Sequence, residues 1–314
     1  MLAALSIDLD ALEHYHGIHG LAPPPPGEAD PVHGSALERL GELCARLGVP
    51  ATAFAVGRPL SETGAAAGVA RLAAAGHEIA NHGFSHDYAL SRRAPDAILA
   101  DVRSGADAVE RAVGRRPAGF RAPGYTLSAP LVRALCDAGV RYDSSAFPSP
   151  PYWLAKAAVM GAIALGGGRS EAILDRPRAL RAPRVPYHPS ASEPYARGDL
   201  PLLELPISTG FLGFPLVGTL LATLPRGLVR ALAAGARALP LLVLELHAVD
   251  LLDGTDLPEG SRALAARQRD LRVPAARKAA RIEDFVRSQD RDWLTLERAA
   301  ERLSLVSSGA EAVP

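Results

Sequence analysis

The sequence is poor in cysteine and carries no excess charge of either sign. Two cysteines in 314 residues exclude a disulfide scaffold, and Cys44 and Cys136 each lie in a predicted amphipathic helix as buried small side chains. Lysine plus arginine equals aspartate plus glutamate at 34 each, so no basic footprint for nucleic acid exists. No uncharged apolar run reaches the roughly 20 residues of a membrane span. We therefore expect neither nucleic-acid binding nor a transmembrane segment.

Two segments of the sequence bear on the cellular location of the protein and on its contact with membranes. Met1 leads directly into an apolar strand pattern, without the basic start, long apolar region and cleavage site of a secretory signal. A cytoplasmic location is therefore expected. Residues 209–224 come near the length of a span, but glycine and proline interrupt them. They predict a buried or interfacial helix, with peripheral membrane contact as the alternative.

Apolar runs of strand length alternate with segments of helical period. The strand patterns lie at residues 2–7, 52–56, 77–80, 119–121, 140–142, 202–205 and 241–246, and the clearest helical patterns at 36–47, 68–75 and 95–113. This alternation indicates βα units and a parallel sheet. No Gly-x-Gly-x-x-Gly turn follows a strand, which argues against a dinucleotide fold. We predict an irregular (β/α)7 barrel in one domain over residues 1–314.

One region breaks this rhythm. Residues 147–200 are rich in proline and glycine and contain one predicted helix, at 152–163. Loops of this length usually serve a site, so an insertion over the barrel face is expected. The proline run at residues 23–26 marks a second, shorter excursion between the first strand and its helix.

Two histidines four residues apart follow the third strand pattern, and two acids end the first. His82 and His86 can turn toward one metal ion, and either Asp8 or Asp10 can complete a mixed nitrogen and oxygen ligand set. Three protein ligands leave a coordination position open, as in catalytic zinc sites. The pattern therefore predicts a metal-dependent enzyme with its site at the strand ends.

Four ordered motifs make the chain resemble the NodB-homology polysaccharide deacetylases, which hydrolyse acyl groups from sugars with a divalent metal. The motifs are Asp8-Leu9-Asp10, His82-Gly83-Phe84-Ser85-His86, Arg121-Ala122-Pro123-Gly124-Tyr125 and Leu246-His247. The resemblance implies that Asp10, His82 and His86 hold the metal, that Asp8 is the general base paired with Arg121, and that His247 is the general acid. Zinc is the expected metal, with cobalt and nickel as alternatives.

The chain departs from the family pattern at two motifs. Glycine precedes the aromatic residue in the third motif, so the oxyanion donor could be the amide of Gly124 or of Tyr125. The fourth family motif has no clear match. Residues 141–145 instead resemble the exopolysaccharide-associated and allantoinase-like branch, in which Asp143 would be structural. Asp250 either tunes His247 or caps the next helix, and we favour the cap.

The resemblance implies removal of an N-acetyl or N-formyl group from a sugar by metal-activated water. The expected substrate is an N-acylated sugar, nucleotide sugar, glycoside or lipid-linked sugar. The alternatives are a metal-independent allantoinase-like hydrolase of cyclic amides and a barrel that only binds carbohydrate. His14, His16 and His19 should lie near the metal. They could contact substrate or a second metal, but a solvated polar loop is our preferred interpretation.

Overall fold

The computed structural model describes residues 1–62 and 64–310 and builds them around one parallel sheet. The strands are β1 Leu2–Asp8, β2 Ala51–Ala55, β3 Glu78–Asn81, β4 Gly119–Phe120, β5 Tyr142–Asp143, β6 Leu203–Glu204, β7 Leu241–His247 and β8 Asp292–Trp293. The helices are α1 Leu12–His19, α2 Leu37–Leu47, α3 Gly57–Glu62, α4 Ala65–Ala74, α5 Pro95–Val113, α6 Ala129–Asp137, α7 Pro150–Leu165, α8 Gly218–Thr223, α9 Arg226–Ala233, α10 Leu264–Arg267, α11 Ala275–Arg287 and α12 Leu296–Ala310.

The sheet has the order β6-β5-β4-β3-β2-β1-β7, with β8 pairing to the start of β1. All of these pairs are parallel, and helices follow most strands, which buries both faces of the sheet. Between β6 and β7 the sheet closes only through irregular chain, where the Ser208 amide donates to the Val243 carbonyl. The result is a curled, incompletely closed barrel, so the predicted fold class is confirmed.

The predicted elements and the observed ones agree closely where the hydrophobic period is strong. The helix predicted at residues 95–113 has those bounds, because Pro95 begins it and Gly114 ends it in the left-handed conformation. The helix predicted over residues 209–224 is wrong in its first half. Only Gly218–Thr223 is α-helical, because Gly210, Gly213 and Pro215 do not favour a continuous helix. The preceding residues form the 3-10 turn Phe211–Gly213, a bridge between Thr209 and Pro215, and a bridge from Val217 to Glu245 of β7.

Residues 147–200 contain α7, a short helical turn at Pro177–Arg181 and otherwise irregular chain. The start of α7 lies against the third motif, because Tyr152 stacks near Tyr125. No helix among the described residues is long and apolar enough to cross a membrane.

A glycine allows α5 to approach the turn after β3. A Cβ built on Gly105 would lie 2.7 Å from the carbonyl carbon of Gly83 and even closer to Oδ1 of Asn81. The helix therefore packs directly on the backbone that carries His82. Contact this close leaves no room for any side chain at this position.

We expect Gly105→Ala to lower the free energy of unfolding by about 1–3 kcal/mol, because the added methyl overpacks a rigid backbone contact. Gly161→Ala is the matched control, since nothing lies within 4 Å of its Cβ position in α7. That substitution should be neutral or should stabilise the protein by up to about 1 kcal/mol. Urea denaturation measures both values, and equal stability of the two variants would contradict the packing argument.

Candidate active site

The polar side chains of the motifs meet at the carboxyl edge of the sheet. Asp8 ends β1 and pairs in register with His247 at the end of β7. His82 and Arg121 each follow the last residue of a strand, β3 and β4. Because parallel strands end at the same edge, motifs more than a hundred residues apart converge there.

Asp10, His82 and His86 form a buried group of ligand atoms that lie within 4.8 Å of one another. Oδ1 of Asp10 is 3.2 Å from Nε2 of His82 and 3.1 Å from Nε2 of His86. Within the described chain, Oδ1 of Asp10 and both ring nitrogens of His86 lack a hydrogen-bond partner. Buried polar atoms are rarely left unpaired, so short contacts without hydrogen-bond geometry fit atoms arranged around a shared cation.

The charges of this group favour a cation. Burial raises the pKa of Asp10, but the two imidazoles outweigh burial and hold that pKa well below its ordinary value. Burial lowers the pKa of His82, while the carboxylates of Asp8 and Asp10 bring it above its ordinary value. The pocket thus attracts positive charge, whether as protons or as a metal ion.

The histidine turn is held in place by its neighbours. Nδ1 of His82 donates to the Arg121 carbonyl at 2.7 Å, which leaves Nε2 to face Asp10. His86 has a positive φ of 51°, an uncommon backbone conformation for a residue with a side chain. Asp101 on α5 accepts from the amides of Phe84 and Ser85 at 2.9 and 3.1 Å. The sequence analysis missed Asp101, because only the tertiary structure brings α5 against this turn.

Asp8 and Arg121 form a fully buried ion pair, with Nη1 of Arg121 2.6 Å from Oδ1 of Asp8. The remaining guanidinium nitrogens donate to the Ser6 hydroxyl and to the carbonyl and hydroxyl of Ser144. The guanidinium carbon of Arg121 also lies 4.0 Å from the centre of the Phe54 ring. Burial lowers the pKa of Arg121, but the Asp8 carboxylate more than offsets this and raises it. Asp8 therefore stands beside a permanent positive charge.

Tyr125 enters the site through its side chain. Its amide, one of the two oxyanion donors considered from the sequence, donates to the Ala122 carbonyl at 3.0 Å, and its role as oxyanion donor stays a prediction. Positive φ at Gly124 and Tyr125 turns the chain so that the hydroxyl lies 3.2 Å from Oδ2 of Asp8 and 3.3 Å from Nε2 of His247. The alternative donor, the amide of Gly124, stays a prediction.

His247 is held by an acid that the sequence analysis overlooked. Nδ1 of His247 lies 2.9 Å from Oε1 of Glu245, a buried residue of β7. Burial lowers the pKa of His247, but Glu245 raises it well above its ordinary value. Residues two apart in a strand lie on the same face of the sheet. The position of Glu245, two residues before His247, was therefore the sequence feature that could have predicted this contact. Asp250 accepts from the His247 amide at 2.9 Å and caps the turn that follows.

The three histidines after β1 are not a solvated loop, contrary to our preferred interpretation. They lie on α1, where His14 and His16 are buried. His16 bonds to the Ser261 hydroxyl and His19 to the Gln268 side chain, so both tie α1 to a distant part of the chain. Only His14 reaches the ligand group, with its ring 4.0 Å from that of His86.

Asp143 lies behind the site rather than in it. It is buried beside Glu204, and it accepts from the Ser145 hydroxyl, which donates at 2.7 Å. Glu204 accepts from the amides of Ser145 and Ala146. Burial, followed by the neighbouring Asp143, raises the pKa of Glu204 well above its ordinary value. The pair shapes the loop on which Arg121 rests.

An open groove of about 970 Å³ touches the ligand group at His86. His14, Tyr88, Arg58, Arg169 and Glu171 are among its other lining residues. Its polar lining and size suit a hydrophilic ligand such as a sugar.

Comparison with known proteins supports the motif-based resemblance. The family model described as polysaccharide deacetylase matches residues 30–142, which include the second and third motifs. A peptidoglycan deacetylase from Helicobacter pylori is 27% identical over 156 residues, which cover 46% of this chain and 49% of the relative. The chain thus spans about half the length of that curated relative.

A solved structure supports the fold. The crystal structure of a candidate polysaccharide deacetylase from Mycobacterium smegmatis superimposes with a TM-score of 0.59 and 18% identity. The superposition covers 98% of this chain and 91% of that one. Together with the family match, it confirms the recognition made from the sequence, while the assignment to a branch stays a prediction.

We expect Asp101→Ala to weaken binding of Zn²⁺ or Co²⁺ about 10- to 100-fold, because the turn that carries both histidines loses its support. Asp107→Ala is the matched control on the same helix, since Asp107 is exposed and pairs only with Arg116. Metal titration by calorimetry measures both affinities. Equal affinities in the two variants would show that Asp101 has no positioning role.

Proposed function

We propose that this chain, a member of the NodB-homology polysaccharide deacetylase family, hydrolyses an N-acyl group from a sugar with the help of one divalent metal ion. The buried group Asp10, His82 and His86 supports the proposal, because an arginine-paired carboxylate, Asp8, and a carboxylate-paired imidazole, His247, lie together beside it. A ligand set with a base and an acid within reach suits metal-assisted amide hydrolysis.

The donor set supports a zinc-type ion, with cobalt and nickel as alternatives, because two imidazoles and one carboxylate suit each of them. Asp10, His82 and His86 would hold the ion, and the unpartnered atoms of Asp10 and His86 fit that role. When bound, the ion would polarise the acyl carbonyl and make water more acidic.

Asp8 acts as the general base in this proposal. Arg121 pairs with the carboxylate and fixes its Oδ1, while the Tyr125 hydroxyl donates to its Oδ2. The water that attacks the acyl carbon would lose its proton to Asp8. Contacts to both oxygens fix the orientation of the carboxylate.

His247 supplies the proton that the leaving nitrogen needs, because an amine anion is a poor leaving group. Oε1 of Glu245 lies 2.9 Å from Nδ1 of His247, so its charge favours a proton on Nδ1, and Nε2 faces Tyr125 and the ligand group. The raised pKa keeps His247 protonated around neutral pH. Base and acid thus stand on neighbouring strands, as Asp8 and His247 are in register.

The substrate class we propose is an N-acetylated or N-formylated sugar, free, nucleotide-linked or lipid-linked. The Helicobacter pylori relative is named a peptidoglycan deacetylase, so N-acetylated peptidoglycan fragments belong in the first panel. The cytoplasmic location expected from the sequence stays a prediction. It would favour nucleotide-linked and lipid-linked sugars over assembled cell wall.

We expect His82→Ala to lose metal and hydrolysis together, because it removes a ligand while leaving the fold intact. The parent should bind about one divalent ion per chain, as three ligands around one open position imply. Elemental analysis and amine release from N-acetyl and N-formyl sugars measure the two properties. His188→Ala is the control, since that exposed side chain bonds only to backbone carbonyls of a surface loop.

Two outcomes would contradict this proposal. Hydrolysis that survives a strong chelator would favour the allantoinase-like alternative. A parent that binds metal and sugar but releases no acyl group from any substrate in the panel would favour a barrel that only binds carbohydrate.

We expect Glu245→Gln to move the alkaline limb of the pH–rate profile to lower pH. His247 donates a proton, so activity is present below its pKa and is lost as pH rises through it. Glu245 raises this pKa, and removing its charge must therefore lower the pKa of His247. The pH dependence of kcat/KM measures the shift. An unchanged alkaline limb would show that His247 is not the acid.

A further inference from the structure

The helix α7 has a composition that is unusual for a helix on a protein surface. Lys156 is its single charged residue in sixteen, and none of its residues is buried in the core. Surface helices ordinarily pair an apolar face toward the core with a polar face toward water. An apolar outer face on such a helix indicates that something other than water contacts it.

The inner side of α7 covers the candidate active site. Tyr152 packs against Phe147, and both rings lie beside Tyr125. The Lys156 ammonium donates to the Gly124 carbonyl at 3.2 Å. The one charge of the helix is therefore directed toward the third motif, and the outer face is left without any.

A second apolar segment adjoins the start of α7. The turn Phe211–Gly213 is joined to it by a hydrogen bond from the Ser149 hydroxyl to the Gly213 carbonyl at 2.8 Å. The exposed apolar residues of helix and turn form what we name the apolar roof: Leu154 62%, Val159 47%, Leu165 92%, Phe211 58% and Leu212 72% exposed. Five of the eight large apolar side chains that are exposed in the described chain belong to this roof.

The two chain segments that form the roof contain no acidic residue. Residues 144–170 and 205–244 have no aspartate or glutamate, although the whole chain has 34. The charged residues of these two segments are all basic: Lys156, Arg169, Arg226, Arg230 and Arg237. Arg226 pairs with Asp284 of α11, while Arg169, Arg230 and Arg237 are exposed at the surface. Apolar side chains with a basic surround complement an anionic lipid surface.

We propose that the apolar roof docks on a bilayer that contains anionic lipid, which brings the mouth of the groove to the membrane surface. Phe211, Leu212 and the outer side chains of α7 enter the interface, and the neighbouring arginines contact lipid phosphates. This docking does not depend on hydrolysis. It would place the site where a sugar carried on a lipid anchor can reach it.

Flotation of the full chain with vesicles tests the proposal. We expect binding to phosphatidylcholine vesicles that contain 30% phosphatidylglycerol, and weaker binding to pure phosphatidylcholine or at high salt, since screening removes the electrostatic part. The double variant Phe211→Ser/Leu212→Ser should bind at least about 10-fold more weakly, because two large apolar side chains leave the interface. Leu154→Glu should act in the same direction from the helix side.

Leu305→Ser is the matched control, because Leu305 is also 72% exposed but lies on α12, away from the roof. It should bind vesicles as the parent does. Thermal unfolding and metal content equal to the parent's would show that the variants are folded. Failure of the parent to float with either vesicle, or equal loss in the control, would overturn the proposal. So would a dimer in sedimentation velocity that the roof variants dissociate, which would assign the roof to a second copy.

Discussion

The buried ion pair between Asp8 and Arg121 is the constraint on which the site depends. It joins the end of β1 to the residue after β4, and the other guanidinium donors reach the loop after β5. Separating such a pair leaves an uncompensated buried charge, which costs about 3–5 kcal/mol. The same Arg121 carbonyl orients His82. Arg121 therefore positions the proposed base, Asp8, through its side chain and one proposed metal ligand, His82, through its carbonyl.

Each acid of the site faces a basic side chain. Asp8 lies against Arg121 and Glu245 against His247, each across a single short contact. Asp10 faces His82 and His86 at 3.2 and 3.1 Å and His247 at 3.8 Å, and its Oδ1 lacks a hydrogen-bond partner among the described residues. A divalent cation would satisfy Asp10 and both ligand imidazoles together, which supports the proposed metal site.

The polar groups and the apolar surface of the protein meet at α7. Its inner side packs on the third motif, and its exposed apolar side chains belong to a chain segment without acidic residues. The insertion, residues 147–200, therefore connects the candidate active site to the apolar roof. A helix that served only as a cover would have gained solubility from a polar outer face.

Hydrophobic period in the sequence determined the parallel sheet, because it is a local property. Residue types and spacing predicted Asp8, Asp10, His82 and His86 as site residues, and the family resemblance added Arg121 and His247. Tertiary structure decided the rest. Glu245 contacts His247, and Asp101 contacts the turn after β3, only because the folded chain brings them together. The Tyr125 hydroxyl enters the site because Gly124 and Tyr125 have left-handed backbone conformations. His16 and His19 bind loops that are distant in sequence. The helix expected over residues 209–224 formed only at Gly218–Thr223, and a tight turn with one bridge to β7 precedes it, because tertiary contacts outweigh local apolar composition.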